Sequence, residues 1–248
     1  MRSETTGSAQ FGQRTLSLGL ILTMAVACGV AVANIYYNQP MLGVIKREFS
    51  GSWWVGLIPT ATQIGYGLGL FLLVPLGDLM DRRRLIVAQF IILGLASYAA
   101  SLAPNAAALV GASLIVGACA SVAQQIIPFA ASLASAERRG STIGMVMAGL
   151  LCGILLSRLL SGVVATYAGW REMFQLGLPM SVAGAIAMAI ALPRNYPHSG
   201  IRYTAALRSL LHLWTSEPKL RRASLMQAAA FGSFSAFWTV LALHLEEP

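Results

Sequence analysis

Polar side chains are scarce in this chain, and those that could do chemistry fall inside long apolar runs. Asn34, Tyr37 and Asn38 stand at i, i+3 and i+4, which puts them on one helical face. Gln63 shares a face with Thr60 and Gly67, and Tyr66 stands beside them. Gln124 and Gln125 lie with Ser121 and Pro128 in a further run. Arg158 is set among Leu, Ser and Gly residues. None of these makes a nucleophile–base pair, a phosphate loop or a metal cluster. The chain is therefore read as a non-enzyme, with no catalytic residue, cofactor or metal. The chemistry on offer is hydrogen bonding around one fixed positive charge.

The elements that must hold these groups follow from composition. Of 248 residues, 56% are hydrophobic and only 10% are charged, and the mean hydropathy is +0.69. Soluble domains carry about 25% charged residues, so this chain cannot cover a surface facing water. Its apolar runs are long and do not alternate, which excludes barrel strands and leaves membrane helices. Spans of about twenty residues are expected at 15–37, 53–76, 85–103, 107–133, 142–165, 174–192 and 223–245. Ala31-Val32-Ala33 resembles a peptidase site, but the run before it is too long for a signal core, so it reads as a retained helix. The fold class is thus an all-α polytopic membrane protein with a six-helix bundle and a seventh transmembrane helix. Residues 1–14 read as an arm, 15–193 as the bundle, 194–222 as a linker, and 223–248 as the seventh span and chain end.

Charge placement gives these spans a direction. Thirteen of the seventeen Lys and Arg residues fall on the side of the arm, the 77–84 turn, the 137–139 turn and the linker, and three fall opposite. The positive-inside rule makes the first side cytoplasmic. The net charge of +8 is then explained by a lipid bilayer, with no nucleic acid partner. Within the linker, Leu207, Leu210, Leu211 and Trp214 form an apolar stripe on a short helix, with Thr204 as its expected cap. Cys28, Cys119 and Cys152 all lie in apolar spans and are expected to be buried small hydrophobes.

The densest charge run is the turn Gly77-Asp78-Leu79-Met80-Asp81-Arg82-Arg83-Arg84. Asp81 suits a helix N-terminus, where the macrodipole favours an anion, and Arg82 is in reach of an acid on the next turn, with Glu137 the expected partner. The spacing Gly77-x-Leu79-x-Asp81-Arg82 resembles the signature turn of the major facilitator superfamily. Glu137-Arg138-Arg139-Gly140, Gly169-Trp170-Arg171 and the basic linker resemble its later turns, in order. The second half of the signature departs, with Arg84 at its glycine position and Leu85 next. The resemblance implies a transporter with a conformational gate at Gly77, Asp81, Arg82, Glu137 and Arg138. It also implies a bacterial inner-membrane protein that moves a small organic solute or drug outward by alternating access. Two motifs of the family's drug–proton antiporters are missing. Ser113 stands where they carry arginine, and the region from Gly149 to Gly162 has no proline.

Within that frame Asn34, Tyr37, Asn38, Gln63, Tyr66, Gln124, Gln125 and Arg158 are the candidate cavity residues. The glutamines read equally as links between helices. An arginine at the depth of Arg158 costs about 2.5–3.5 kcal/mol, which calls for a substrate, an ion partner or a structural role. Gly149, Gly153 and Ser157 form a small-residue ridge for close packing, and Arg158 lies roughly 100° around from it. The family's transporters have two six-helix halves, so a missing C-terminal half is an expected partner. The alternative reading is a truncated membrane fragment that transports nothing.

Overall fold

A computed structural model describes residues 17–193 and 202–244, with side chains described as far as residue 237. Ten α-helices and three short 3-10 turns make up these residues. The first span is α1, Leu18–Tyr36, prolonged by a 3-10 turn at Gln39–Met41 and by α2, Leu42–Glu48. Pro40 lacks an N–H, so it is tolerated at the start of that turn, where no intrahelical partner is needed. Lys46, Arg47 and Glu48 therefore end a helix, where the sequence alone placed them in a loop.

The second span enters through a 3-10 turn at Trp53–Leu57, continues as α3, Ile58–Leu72, and leaves through a 3-10 turn at Pro75–Asp78. The third span is α4, Arg82–Ser101. The fourth is broken into α5, Ala106–Ala120, and α6, Ala123–Leu133. At the break, Val122 N–H reaches Cys119 O instead of the carbonyl four residues back. Ser121 Oγ donates to Ala118 O at 2.7 Å, so the hydroxyl takes an acceptor the backbone leaves open. The sequence had shown one continuous helix here. The fifth span is α7, Arg139–Tyr167, and the sixth is α8, Trp170–Ala191. Among the described residues, six segments are long and apolar enough to cross a membrane.

Glycine lets these helices touch at their backbones. A methyl at Gly117 of α5 would stand 2.0 Å from Thr62 O of α3, and one at Gly65 of α3 would stand 2.0 Å from Leu114 O. On the other side of the bundle, Gly149 and Gly153 of α7 face Ala25 and Gly29 of α1 at similarly close range. Lipid tails are as apolar as leucine, so such close packing, and not apolar burial, holds membrane helices together. The ridge read from the sequence is thus the α1–α7 seam, with Ser157 buried beside it. Gly169, at φ 121°, makes the turn from α7 into α8, a region other residues rarely adopt.

Two further helices follow. The amphipathic α9, Tyr203–Ser216, buries none of its residues. Its N-cap position is Arg202 and makes no side-chain cap, so Thr204 lies inside the helix. The Tyr203 hydroxyl donates to Leu72 O at 2.9 Å and ties α9 to the end of α3. The last helix, α10, runs Pro218–His244. Proline is favoured in a first helical turn, so Lys219, Arg221 and Arg222 open this helix instead of preceding it.

Candidate functional site

The polar side chains near the end of α1 are turned toward neighbouring helices. Asn34 is 1% exposed; its Nδ2 donates to Val30 O at 2.8 Å and its Oδ1 accepts from Ser97 of α4 at 2.9 Å. Asn38 is 2% exposed and donates to Thr62 Oγ1 of α3 at 2.8 Å. Tyr37 is fully buried from solvent. Its hydroxyl meets Met180 Sδ at 3.7 Å, and its ring borders an apolar groove of about 840 Å³ between α1, α7 and Met180 of α8. These three residues fasten helices. Their one-face spacing was legible, but what covers that face was not.

The glutamines divide. Gln125 is buried and donates to Gln89 Oε1 at 2.5 Å and to Leu73 O at 3.3 Å. It joins α6 to α4 and to the end of α3, and its Oε1 lies where a methyl on Gly77 would come within 3.3 Å. Gln124 is half-buried and donates to the Tyr66 hydroxyl at 3.0 Å. Gln63 is half-buried on the same helix as Tyr66.

Arg158 is the charge set deepest. Every other Lys, Arg, Asp or Glu in the six spans lies within the first or last few residues of its span, whereas Arg158 is nine residues from Tyr167. Its Nη2 donates to Gln39 Oε1 at 3.1 Å. Its Cζ stands 5.1 Å from the Tyr36 ring centre and 5.6 Å from that of Phe234 on α10. Rings at this range attract a guanidinium through their quadrupoles. One side chain thus meets the end of α1, the turn after it, α7 and α10. Tyr36, Gln39 and Phe234 were not singled out in the sequence, because no helical period links them to Arg158.

At the end of the bundle carrying the Gly77–Arg84 turn, Asp81 caps α4 and accepts from Arg83 N–H at 3.0 Å, as its position implied. Arg84 lies 3.8 Å from its other oxygen. Arg82 donates to Gly77 O at 3.0 Å and to Asp78 Oδ1 at 2.5 Å. The expected Arg82–Glu137 bridge is not formed, because Asp78, four residues back, lies closer to the same guanidinium. That i, i+4 spacing was a readable signal. Glu137 is exposed, and its own backbone N–H and the Ser135 hydroxyl hold its carboxyl below the ordinary range. Arg138 is exposed and its carbonyl accepts the first bond of α7, from Thr142. Arg83 reaches the Ala189 carbonyl of α8.

The opposite end has its own clasp. Trp170 Nε1 and Arg171 Nη2 donate to the two oxygens of Glu48 at 2.6 and 2.5 Å. Arg171 Nη1 also reaches Ser101 O and Ala103 O, and its guanidinium stacks 4.4 Å over Trp170. The Gly-Trp-Arg turn therefore binds α2, α8 and the α4–α5 connection. The described residues contain no group of His, Cys, Asp and Glu that could hold a metal ion. Cys28 and Cys119 are buried, but Cys152 is exposed on α7. Position in an apolar run does not say which face is covered.

This helical frame is matched beyond the chain itself. The family description Major Facilitator Superfamily fits residues 19–247. The chain belongs to the major facilitator superfamily. It is 38% identical over 234 residues to the uncharacterized transporter YgaY of Escherichia coli O157:H7, covering 94% of this chain and 59% of that one. SCO4007 of Streptomyces coelicolor, also named as a transporter, is 34% identical over 248 residues, covering 99% and 57%. The chain thus spans a little under three-fifths of the length of these relatives. The inward-open structure of the xylose transporter XylE of E. coli shares the fold, with a TM-score of 0.52 at 17% identity, covering 80% of this chain and 57% of that one. The family fixes this chain as a multi-pass membrane protein, and the named relatives are transporters, not enzymes.

Proposed function

We propose that this chain is the substrate-binding first half, with linker and seventh helix, of a bacterial inner-membrane transporter. It moves a small organic solute or drug outward by alternating access, with its N-terminus in the cytoplasm. Residues 15–193 act as the first bundle, 194–222 as the linker, and α10 as the start of the facing bundle. The observation that carries this reading is Arg158, deep in the fifth span and held between Tyr36 of α1 and Phe234 of α10. Charged groups within membrane spans mark substrate or ion paths, and sites in this kind of fold lie between the two halves.

Tyr66 and Gln124, bonded to each other across α3 and α6, extend the polar lining, and Gln63 belongs with them. Asn34, Tyr37, Asn38 and Gln125 set the helices that carry it. Gly77, Asp81, Arg82, Glu137 and Arg138 form the cytoplasmic gate. A gating contact shifts the balance of states only by its energy difference between them. The outward direction is the one that the resemblance of the turns implies. A flux screen in proteoliposomes at two pH values tests the reading. Saturable movement of an organic solute is expected, and passive leak alone for every class of solute would overturn it.

A further inference from the structure

We infer that α9 is an interfacial helix that seats its apolar face in the bilayer and binds the phosphates of anionic phospholipids. The inference needs only a membrane-spanning bundle and stands apart from the transport reading. At about 100° per residue, Leu207, Leu210, Leu211, Leu213 and Trp214 share one side of α9, and Thr204, Arg208, Ser209, His212 and Ser216 share the other. Leu210, Leu211, Leu213 and Trp214 are between 38% and 60% exposed. The helix lies outside the six segments apolar enough to cross a membrane, so its stripe is not that of a span. A helix with one apolar and one polar face lies in the plane of the membrane surface, apolar side down.

Position and charge name the occupant. The Tyr203 hydroxyl donates to Leu72 O at 2.9 Å. Leu72 stands before Asp78, where the charged turn begins, so by helical rise this bond lies about 9 Å inside the end of the span. Phe71 and Leu72 are themselves exposed apolar side chains of that span. The start of α9 is thus tied in at the depth of a membrane surface. Charge follows on the polar side. From Arg202 to Arg222 the sequence has five Arg and Lys residues and one acid, Glu217, and Arg208, Lys219, Arg221 and Arg222 are exposed. Basic clusters of this kind, on an amphipathic helix and beside a span, attract anionic headgroups. Arg208 stands about 60° around from Leu211, where its stem can cover apolar surface while its guanidinium reaches the headgroups. With the exposed Thr204 one turn before it, it offers a phosphate both charge and hydrogen bonds. A second copy of this basic helix would set like charges together, and an apolar protein face alone would leave the arginines unanswered.

The test uses the full chain in lipid nanodiscs, in a Cys152→Ser background, since Cys28 and Cys119 are buried. Nitroxides are attached through Leu211→Cys on the apolar face and, separately, through Ser209→Cys, roughly 160° around from it. In nanodiscs containing phosphatidylglycerol, the nitroxide on the apolar face should be open to oxygen, closed to a water-soluble nickel chelate, and about 5–10 Å below the phosphates. The nitroxide on the polar face should be open to the chelate. An apolar-face nitroxide open to the chelate would put α9 in water, and one closed to both reagents would put it under protein. Either result overturns the inference. Headgroup choice is read by spin-labelled phosphatidylglycerol and phosphatidylcholine competing for the chain. The preference for phosphatidylglycerol should fall roughly fivefold or more in the triple variant Arg208→Gln, Arg221→Gln, Arg222→Gln, and high salt should lower it in the parent. If the triple variant does not fold, Arg208→Gln alone and the salt series decide in the same way. No preference in the parent, or a preference that neither substitution nor salt reduces, would overturn the inference.

Discussion

The guanidinium of Arg158 lies 5.1 Å from the ring centre of Tyr36, although 122 residues separate the two in the chain. This pairing explains how a charge is kept at a depth where it is expensive. An arginine at mid-span costs about 2.5–3.5 kcal/mol, while a ring contact returns about 0.5–2 kcal/mol. The Phe234 ring and the Gln39 bond add to that return, so the cost of placing the charge is largely offset by its neighbours.

That balance has a direct consequence. Arg158→Leu should fold, insert and melt within a few degrees of the parent, while solute binding is lost. Thermal unfolding followed by tryptophan fluorescence reads the first part, and binding of the solute found in the flux screen reads the second. A melting temperature several degrees lower would show that Arg158 is a net structural support.

The α3–α5 crossing predicts a sharp contrast between two glycines. Gly117→Ala sets a methyl against Thr62 O with no flexible side chain to yield, and overpacking of this kind costs about 1–3 kcal/mol. Gly111→Ala, on the same helix, meets nothing within 4 Å and should be neutral or mildly stabilising. Equal melting temperatures for the two variants would contradict the crossing.

Exposure separates the three cysteines. Cys152 is exposed, and Cys28 and Cys119 are buried. A membrane-permeant maleimide should therefore label the folded protein at Cys152, and mass spectrometry of the peptides should find the other two unmodified until denaturant is added. Rapid labelling of Cys28 in the native protein would refute the α1 packing.

Much of this was legible in the chain. Unalternating apolar runs gave seven spans, of which six are long and apolar enough to cross a membrane among the described residues, and the position of Asp81 before α4 gave its cap. Gly149 and Gly153 gave the packing ridge of α7, since repeats of small residues reflect a local helical period, but not α1 as its partner. Contacts between distant spans left no such trace. Asn34 and Asn38 looked like a cavity face, and only Ser97 and Thr62, from two other helices, turn them into fastenings. Arg82 was paired with Glu137 as an acid on the neighbouring turn, whereas Asp78 wins by proximity. The break at Ser121 was missed because a hydroxyl can either continue a helix or interrupt it, and neighbouring helices decide which.

The Glu48 clasp predicts a modest effect. Its partners are partly exposed, with side-chain exposures of 32% for Arg171 and 41% for Glu48, so solvent screens the pair. Glu48→Gln should destabilise by about 0.5–1 kcal/mol, visible as a small drop in melting temperature that high salt diminishes. Asp81→Asn keeps a good N-cap, so it should leave stability nearly unchanged while altering thiol access to a cysteine placed at the solute site. Identical labelling kinetics in parent and variant would remove Asp81 from the gate.

The central claim is that solute is handled at Arg158. The most direct measurement is the initial rate of movement, in proteoliposomes, of the solute found in the flux screen, compared per folded molecule between the parent and Arg158→Gln. Saturable movement in the parent and its loss in Arg158→Gln, with equal insertion of both, is the predicted result. Equal saturable rates in the two proteins would contradict it.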